Sequence, residues 1–568
     1  MGRTLVGWNF RSFGVVTMVL CGCADDTGVT GGGSEGSSHG GGSGSSTGGS
    51  DGSTGGTSTG GSTTATSQAD SSSGPSVKYD VGVGDSSTGE VVPFDCKAVD
   101  PMGEVMPCQQ QAPADSFEPD VQWEWLGADG LTQVVTSPLV VNLTDDNADD
   151  EIDLCDIPDV VVVAFDVGLS TGRIFVLAGD TGIEHFSIPT SVDLTVTPAV
   201  GDIDDDGIAE IVTIDGQSIF GGGIGHLVAF EHDGTIAWTS PDPAGDVAFT
   251  GVALADLDAD GDVEILAGDA VYDHLGGQLW THPEAPLPGG VGSLPTAADL
   301  DGDGTLEVIH GRNAYAVDGS VFYSTGLLPG FPHVASFDAD PEPEIILMNP
   351  SGITMLEADG TIVWQDQRPT GDPPSPETVW LKPGTVHDFD GDGASEFATG
   401  SANNYTVYEI DDAGPTILWQ APVQDLSGSA GGTAFDFDGN GIAEAMYADE
   451  TQLFVFDGSG DPLFTTPRES GTGLEYPVVA DIDNDGAAEI LVVSNFQTLP
   501  NSPAVVAIRD VQERWIQARR IWNQHTYHVS NVREDGTIPQ HETPSWQQLN
   551  TFRTNSQIEG GSVCQPAG

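Results

Sequence analysis

Hydrophobic and polar positions follow one pattern that recurs along most of this chain. An acidic, glycine-containing loop leads directly into an apolar run, as in Ile490-Leu491-Val492-Val493. About 15 to 25 residues later, two further apolar runs flank a turn, as from Thr354 through Asp359-Gly360 to Trp364. Asp-Gly between apolar runs predicts a β-hairpin. Helical periodicity is almost absent, so the pattern predicts strands throughout.

The acidic loops carry the strongest chemical signal. Six of them place oxygen-bearing side chains at loop positions 1, 3, 5 and 9, with Gly at position 6. Their residues at those positions are Asp202, Asp204, Asp206 and Glu210; Asp256, Asp258, Asp260 and Glu264; Asp299, Asp301, Asp303 and Glu307; Asp388, Asp390, Asp392 and Glu396; Asp436, Asp438, Asn440 and Glu444; and Asp481, Asp483, Asp485 and Glu489. Crowded carboxylates repel one another unless a hard cation lies between them, and Ca²⁺ accepts roughly six to eight oxygen ligands. We therefore predict calcium sites, each including the carbonyl oxygen of position 7.

Two further loops depart from this pattern. Ser336–Glu344 lacks the first acid and the glycine, and the earliest loop, Asn142–Asp159, has an insertion that contains Cys155. Counting these two, we expect about six to eight calcium sites, with a weaker one where Asn440 replaces an acid. The alternative is an acidic turn that uses its carboxylates to hold its own backbone. An EF-hand is excluded, because it requires Glu at position 12, where none of the six loops has one.

The spacing of the loops predicts the fold. Start-to-start intervals are 37 to 60 residues, and repeats of this size with about four strands each are typical of β-propeller blades. The loops resemble FG-GAP/VCBS repeats, which also form the propeller of integrin α chains. That resemblance covers residues 120–555 and implies an all-β propeller of seven or eight four-stranded blades. Eight are favoured because there are eight loops.

The N-terminus has the features of an export signal. Arg3 and Arg11 accompany a short apolar run that ends in Leu20-Cys21-Gly22-Cys23. The run is too short to cross a bilayer, so residues 1–22 are predicted to be a signal peptide. Leu-x-Gly-Cys resembles the bacterial lipobox, which implies that Cys23 is lipidated and anchors the protein to the cell envelope, at the outer membrane or cell surface. An ordinary signal peptide is the alternative.

Gly, Ser and Thr dominate residues 23–93, which predicts a disordered, flexible tether. A cysteine-containing segment, 94–119, precedes the propeller, and residues 556–568 form a C-terminal tail. Cys96, Cys108, Cys155 and Cys564 allow three disulfide connectivities in an oxidising compartment. We predict that the close pair Cys96 and Cys108 is bonded, which leaves Cys155 with Cys564. Free thiols are the alternative.

Charge limits the possible partners. The chain has 15 Lys+Arg against 87 Asp+Glu, a formal net charge of -72. Such a field repels phosphate backbones, so nucleic acid is excluded as a partner, and we expect membrane contact only through the lipid anchor. Basic residues cluster between Arg509 and Arg533, and we expect them to pair with acids of neighbouring blades. His525 and His528 are predicted to be buried in the last blade rather than to form a zinc or acid–base site with Glu534.

No nucleophile, phosphate-loop or metalloprotease motif is present. We therefore predict a calcium-binding lipoprotein that acts in cell adhesion, without catalysis, by binding a protein or glycan ligand. Alternatives are a calcium-dependent enzyme resembling propeller-type polysaccharide lyases, and a purely structural surface protein. A lyase would need basic residues gathered in a cleft. Between Cys155 and Thr498 the chain offers Arg173, Arg312, Arg368, Lys382 and Arg468.

Overall fold

The computed structural model describes the repeat region and its immediate flanks. The described residues are 96, 106–107, 111–113, 116–166, 168, 171–216, 225–244, 249–283, 292–338, 340–368, 382–401, 403–425, 430–495, 502–556 and 558–559. The predicted signal peptide, the tether, Cys23, Cys108 and Cys564 lie outside this set. None of the helices among the described residues is long and apolar enough to span a lipid bilayer.

The strands form eight antiparallel blades of four strands each, apart from two short additions. In seven of the blades the strands pair in sequence order, from a first strand to a fourth, and in the eighth the fourth strand comes from the start of the repeat region. The first strands of several neighbouring blades lie against one another, so they line the centre of a ring and the fourth strands form its rim. This arrangement confirms the all-β propeller and the choice of eight blades.

Four blades come from the first half of the described chain. Blade 1 contains Gln133–Val134 and Leu139–Val141 as a divided first strand, then Asp159–Phe165, Gly172–Ala178 and Glu184–Ser187. Blade 2 contains Ala199–Gly201, Glu210–Ile214, His226–Phe230 and Ile236–Pro243. Blade 3 contains Thr250–Ala255, Glu264–Ala267, Ala270–Tyr272 and Gln278–Thr281, with Val196–Thr197 added in parallel. Blade 4 contains Thr296–Ala298, Glu307–His310, Asn313–Tyr315 and Val321–Ser324.

The other four blades complete the ring. Blade 5 contains Phe331–Ala335, Glu344–Asn349, Gly352–Glu357 and Ile362–Gln367. Blade 6 contains Thr385–His387, Glu396–Gly400, Asn404–Glu409 and Thr416–Pro422. Blade 7 contains Gly432–Phe435, Glu444–Ala448, Gln452–Phe456 and Pro462–Pro467. Blade 8 contains Val478–Ala480, Glu489–Val493 and Val505–Asp510, with Pro119–Trp125 as its fourth strand. A separate pair joins Met106–Pro107 to Ile558–Glu559, and 3₁₀ turns occupy Val529–Asn531 and Ser545–Gln547.

The two ends of the repeat region meet in blade 8. Pro119–Trp125, the alternating polar and apolar run that precedes all the loops, pairs antiparallel with Val505–Asp510, and Trp123 lies opposite Ala507. Blade 8 is therefore built from both ends of the chain. A ring closed in this way cannot open without breaking hydrogen bonds between the strands of that blade.

Aromatic side chains on the fourth strands of several blades cover a hairpin glycine of the next blade. The Trp280 ring of blade 3 covers Gly319 in the hairpin of blade 4, where an added Cβ would lie 2.7 Å from Trp280 Cγ. Its indole N–H donates to the Val317 carbonyl at 2.8 Å. Gly319 has φ +76°, so glycine is required both by the turn and by the Trp280 side chain that covers it. The same arrangement pairs Trp123 with Gly182, Trp238 with Gly276, Tyr323 with Gly360 and Trp419 with Gly460.

The hydrophobic core lies between blades rather than at one central point. One cluster joins blades 2 and 3 through Val212, Leu227 and Ile265, and another joins blades 6 and 7 through Tyr405 and Phe456. Strands buried on both faces explain the continuous apolar runs in the sequence, because each sheet packs against a neighbour on either side.

Residues 511–556, here called the C-terminal segment, add no strand to a blade but contact every one of the eight. The pairs joined by hydrogen bonds, from blade 1 to blade 8, are Val140 with Trp522, Val200 with Asn523, Leu254 with Gln524, Pro295 with Thr526, Ser336 with Asn550, Val386 with Phe552, Thr433 with Arg553, and Asp481 with Arg519. Trp522, Tyr527 and Arg553 are fully buried. The segment therefore fills the centre of the ring.

The disulfide differs from the prediction. Cys96 is bonded to Cys155, with their Cα atoms 5.2 Å apart. The predicted pairing of Cys96 with Cys108 is therefore wrong, and so is that of Cys155 with Cys564. The reason is tertiary: the insertion in the blade 1 loop lies beside the N-terminal segment, where Leu154 N donates to the Cys96 carbonyl at 3.1 Å. Closeness in sequence did not decide the partner.

Candidate metal centres

All eight acidic loops lie on one face of the ring. Each one joins the first strand of a blade to the second, so all eight occupy the same end of their sheets. We call this end the loop face.

Three side-chain to backbone hydrogen bonds shape each complete loop. In blade 4, Gly304 N donates to Asp299 Oδ2 at 3.0 Å, and Thr305 N donates to Asp303 Oδ1 at 2.9 Å. Leu300 N donates to Glu307 Oε2 at 2.9 Å, which ties the start of the loop to the second strand. The same three bonds recur in the loops of blades 2, 3, 6, 7 and 8. Each bond uses one oxygen of its side chain, so a carboxylate keeps a second oxygen for another partner.

Seven carboxylate oxygens of the acidic loops are buried and accept no hydrogen bond. They are Asp202 Oδ1, Glu210 Oε1, Glu344 Oε1, Glu396 Oε1, Asp438 Oδ1, Asp481 Oδ1 and Glu489 Oε1. A buried carboxylate oxygen without a donor is costly, and a cation removes that cost. The donor set therefore fits a hard divalent ion.

The spacing of the oxygens also fits an ion. In blade 6, one oxygen from each of Asp388, Asp390, Asp392 and Glu396 lies within 4.8 Å of the others. Two oxygens on opposite sides of a Ca²⁺ ion, each about 2.4 Å from it, would be about 4.8 Å apart. The aspartates at positions 1, 3 and 5 of blades 2, 3 and 4 meet the same limit.

Burial changes the acidity of the position 9 glutamates. Burial, reinforced by the nearby loop aspartates, raises the pKa of Glu210, Glu396 and Glu444 to about 8. The same causes raise the pKa of Glu264 and Glu307 to about 7. Without a cation these side chains therefore favour the protonated, uncharged form near neutral pH, and a bound cation would favour the charged form instead.

The blade 1 loop has an aspartate where the other loops have glutamate. Leu143 N donates to Asp159 Oδ2 at 2.9 Å, the bond made by position 9 elsewhere. Burial raises the pKa of Asp159 to about 8. His185 Nε2 lies 3.4 Å from Asp159 Oδ1 and 3.6 Å from Asp146 Oδ1. Asp159 was not among the candidate ligands, although it directly precedes the apolar run, as each position 9 glutamate does.

The blade 5 loop lacks the first acid but keeps the last. Phe337 N donates to Glu344 Oε2 at 2.6 Å, and burial raises the pKa of Glu344 to about 7. In place of an acid, Asn550 of the C-terminal segment bonds to both the N–H and the carbonyl of Ser336, at 2.8 and 2.7 Å. This loop is therefore positioned partly by residues far away in sequence.

The histidines of the C-terminal segment do not form a joint site. His525 Nε2 lies 3.0 Å from the Leu474 carbonyl oxygen, and burial, helped by Arg553, lowers its pKa well below the usual value. His528 Nε2 lies 2.5 Å from Glu542 Oε1; burial opposes its charged form, but Glu542 outweighs that effect and raises its pKa. Both side chains are buried, as expected, but they lie in the centre of the ring rather than in the last blade.

The basic residues between Cys155 and Thr498 are engaged within the protein. Arg173 pairs with Asp129 at 2.7 Å on the surface, and the buried Arg468 pairs with Glu475 at 3.2 Å. Arg312 and Arg368 donate to backbone carbonyls, and Lys382 is buried against Asp425 and Tyr447. The cluster after Arg509 pairs mainly within its own stretch, as in Arg520 with Glu534 at 3.0 Å.

Comparison with known proteins agrees with this geometry. Residues 436–492, from the loop of blade 7 to the second strand of blade 8, match the FG-GAP-like repeat family. The chain carries an FG-GAP-like repeat in an eight-bladed β-propeller. The resemblance predicted from the acidic loops is confirmed. No curated protein matches the chain significantly in sequence.

Solved structures resemble this chain at low sequence identity, and the first of them shares its fold. The chain is similar to the V. cholerae biofilm matrix protein Bap1, with 23% identity and a TM-score of 0.65, over 78% of this chain and 99% of that one. It is also similar to rhamnogalacturonan lyase YesW, at 16% identity, TM-score 0.45, and 80% and 83% coverage. For the Bacillus licheniformis rhamnogalacturonan lyase the values are 17%, 0.43, and 81% and 82%. At these identities the similarity concerns the fold alone.

Proposed function

We propose that this protein is an exported, calcium-stabilised propeller that binds a protein or glycan outside the cell and catalyses no reaction. In this proposal Ca²⁺ occupies the acidic loops and holds the first two strands of each blade together. The ions act on the stability of the ring, because the position 9 glutamate of each complete loop is buried and tied to the loop backbone, as Glu307 is by Leu300. Residues 1–23 would supply export and a lipid anchor, and residues 23–93 would hold the propeller away from the membrane.

We favour binding over catalysis because the basic residues that a lyase would need are already paired within the protein. A polysaccharide lyase must bind a polyanion, which requires uncommitted cations in a cleft. Lys382 and Arg468, the two buried candidates, are neutralised by Asp425 and Glu475. Similarity in fold to a biofilm matrix protein over nearly its whole length supports an extracellular binding role as well.

The test is a binding screen that also records turnover. The purified chain without residues 1–22 would be applied to arrays of neutral and acidic glycans and of surface proteins, with Ca²⁺ or with EGTA. We expect at least one ligand to be retained only in Ca²⁺, with no unsaturated sugar released on incubation. Release of unsaturated product from an acidic polysaccharide would establish the lyase alternative instead.

A pair of variants tests whether the acidic loops bind the calcium. Asp303→Asn removes one carboxylate from an exposed loop position, whereas Arg173→Gln removes a surface charge away from the loops. Asp303→Asn should lower the affinity for Ca²⁺, while Arg173→Gln should leave it unchanged. If neither calcium binding nor ligand retention depends on the loop variant, the proposal is wrong.

A further inference from the structure

The loop of blade 8 is buried more deeply than the other complete loops. Asp485, at position 5, is half-buried. The residues at the same position in the other five complete loops are exposed: Asp206, Asp260, Asp303, Asp392 and Asn440. At positions 1 and 9, Asp481 is 1% exposed and Glu489 is 0% exposed. This loop has the residue types of its neighbours in a different environment.

Two oxygens of this loop lack any hydrogen-bond donor. Asp481 Oδ1 and Glu489 Oε1 are both buried and unpartnered, on side chains that are at least nine-tenths buried. Asp483 and Asp485 add two more carboxylates to the same loop. Four carboxylates in a loop this buried carry a high electrostatic cost, which a cation would remove.

Three separate parts of the chain cover the loop. Gln122, from the fourth strand of blade 8, donates to Asp483 Oδ2 at 2.8 Å. Asn484 donates to the Asp156 carbonyl at 3.2 Å, in the insertion that the Cys96–Cys155 disulfide holds. Arg520 of the C-terminal segment donates to Asn484 Oδ1 at 3.1 Å.

The C-terminal segment also bonds to the backbone of the loop. Asp481 N donates to the Arg519 carbonyl at 3.2 Å, and Gln517 lies against Gly486, 3.4 Å from the position of an added Cβ. Glu513 of the same segment has a buried oxygen, Oε2, with no hydrogen-bond partner. These contacts would have to break before the loop could open.

We propose that the blade 8 loop is a trapped divalent-cation site, which keeps its ion while the other loops exchange theirs with solvent. The proposal rests on the cation binding proposed above and adds that the sites are not equivalent. The rate at which the blade 8 ion leaves is set by opening of the C-terminal segment and the blade 1 insertion. In the other complete loops, the exposed position 5 side chain gives the ion a direct route to solvent.

The test uses the calcium-loaded full chain. The protein would be mixed with excess EGTA, desalted at increasing times, and analysed for calcium by elemental mass spectrometry. We expect a fast loss of most of the calcium and a slow phase of about one ion per chain, at least about tenfold slower. Asp485→Asn should abolish the slow phase, and Asp303→Asn, the same change in blade 4, should leave it intact.

A second pair of variants tests the contacts that cover the blade 8 loop, without changing a side chain that is predicted to bind the ion. Asn484 has φ +59°, so Asn484→Gly fits the backbone while removing its side-chain bonds to Leu154, Asp156 and Arg520. Asp205→Gly is the matched control, at φ +61° in the blade 2 loop. Asn484→Gly should speed the slow phase about tenfold, equivalent to a barrier lowered by about 1.4 kcal/mol, and Asp205→Gly should not change it.

The outcomes separate the two proposals. If calcium binds but all of it leaves in one phase, or if the slow phase is lost equally in Asp303→Asn, the trapped site is wrong and calcium binding stands. If no calcium binds to the folded chain, both proposals fail.

Discussion

The acidic loops and the C-terminal segment both form many hydrogen bonds. Within a loop the partners lie a few residues apart in sequence, whereas those of the C-terminal segment lie far away in sequence. In the blade 4 loop, Asp299 accepts a hydrogen bond from the backbone five residues ahead, and Asp303 from two residues ahead. In the C-terminal segment, Arg553 donates to the Gly384 carbonyl 169 residues away, and Gln524 accepts from Leu254 270 residues away.

This difference explains why one region repeats and the other does not. A loop that bonds to itself can be copied into each blade, because its nine residues contain all the groups it needs. The C-terminal segment acquires its structure only from the assembled ring, since every blade supplies a different partner. We therefore expect the loops to respond to cations and pH, and the segment to respond to packing changes.

Removing divalent cations should have the largest effect, because it acts on all the loops at once. Each occupied site adds about 2.7 kcal/mol when the free ion is at a hundred times its dissociation constant. We expect EGTA to lower the calorimetric Tm strongly and Ca²⁺ to restore it. Asp485→Asn and Asp303→Asn should each reduce the gain produced by Ca²⁺. An unchanged Tm in EGTA would contradict the role of the loops.

The pH dependence in EGTA should have a definite sign. Burial raises the pKa of Glu210, Glu396 and Glu444 to about 8 in the folded chain, above the ordinary value of 4.5. The folded state therefore binds more protons than the unfolded state between these values, so the free energy of unfolding falls as pH rises through that window. Tm in EGTA should be higher near pH 5 than near pH 8, and saturating Ca²⁺ should remove this trend.

Trp522→Ala should destabilise the protein more than Trp280→Ala. Trp522 is completely buried among several blades, so its loss leaves a cavity that costs about 4 kcal/mol. Trp280 is half-buried at one blade interface, and we expect about half that cost. Urea unfolding of both variants in saturating Ca²⁺ measures the difference. Equal losses would mean that the segment contributes no more to stability than a single blade contact.

Gly319→Ala should be more destabilising than Gly326→Ala. Both glycines have positive φ, +76° and +71°, so both variants carry backbone strain of about 1 kcal/mol. Only at Gly319 would the new Cβ meet the Trp280 ring, and nothing lies within 4 Å at Gly326. We expect a total loss of about 2 to 3 kcal/mol at Gly319 by urea unfolding. Equal losses would show that the Trp280 side chain is not a reason why residue 319 is glycine.

The smallest expected effect is a gain, at Asn440. Asn440 Oδ1 accepts the bond from Ile442 N at 2.8 Å, as aspartate does at this position elsewhere. Asn440→Asp should therefore keep the loop geometry while adding a negative ligand. We expect tighter calcium binding in that loop and a stability gain below about 1 kcal/mol. Isothermal titration measures it, with Asp303→Asn as the opposite change; weaker binding in Asn440→Asp would exclude the loop as a site.

The sequence by itself determined the features that depend on short-range chemistry. Aspartates at alternate positions, glycine at position 6 and a glutamate before the apolar run predicted the six complete loops, and the eight loops in all predicted eight blades. Asp-Gly predicted the hairpins, but not that an aromatic side chain of the preceding blade covers the glycine. These features were predictable because donor and acceptor lie within a few residues of each other.

Only the tertiary structure decided the rest. It bonded Cys96 to Cys155 rather than to Cys108, placed His525 and His528 in the centre of the ring, and covered the blade 8 loop while leaving the blade 4 loop open. Each outcome depends on which distant segments the closed ring brings together. A local pattern contains no information about such a neighbour, since the same nine loop residues occur in blades that meet different surroundings.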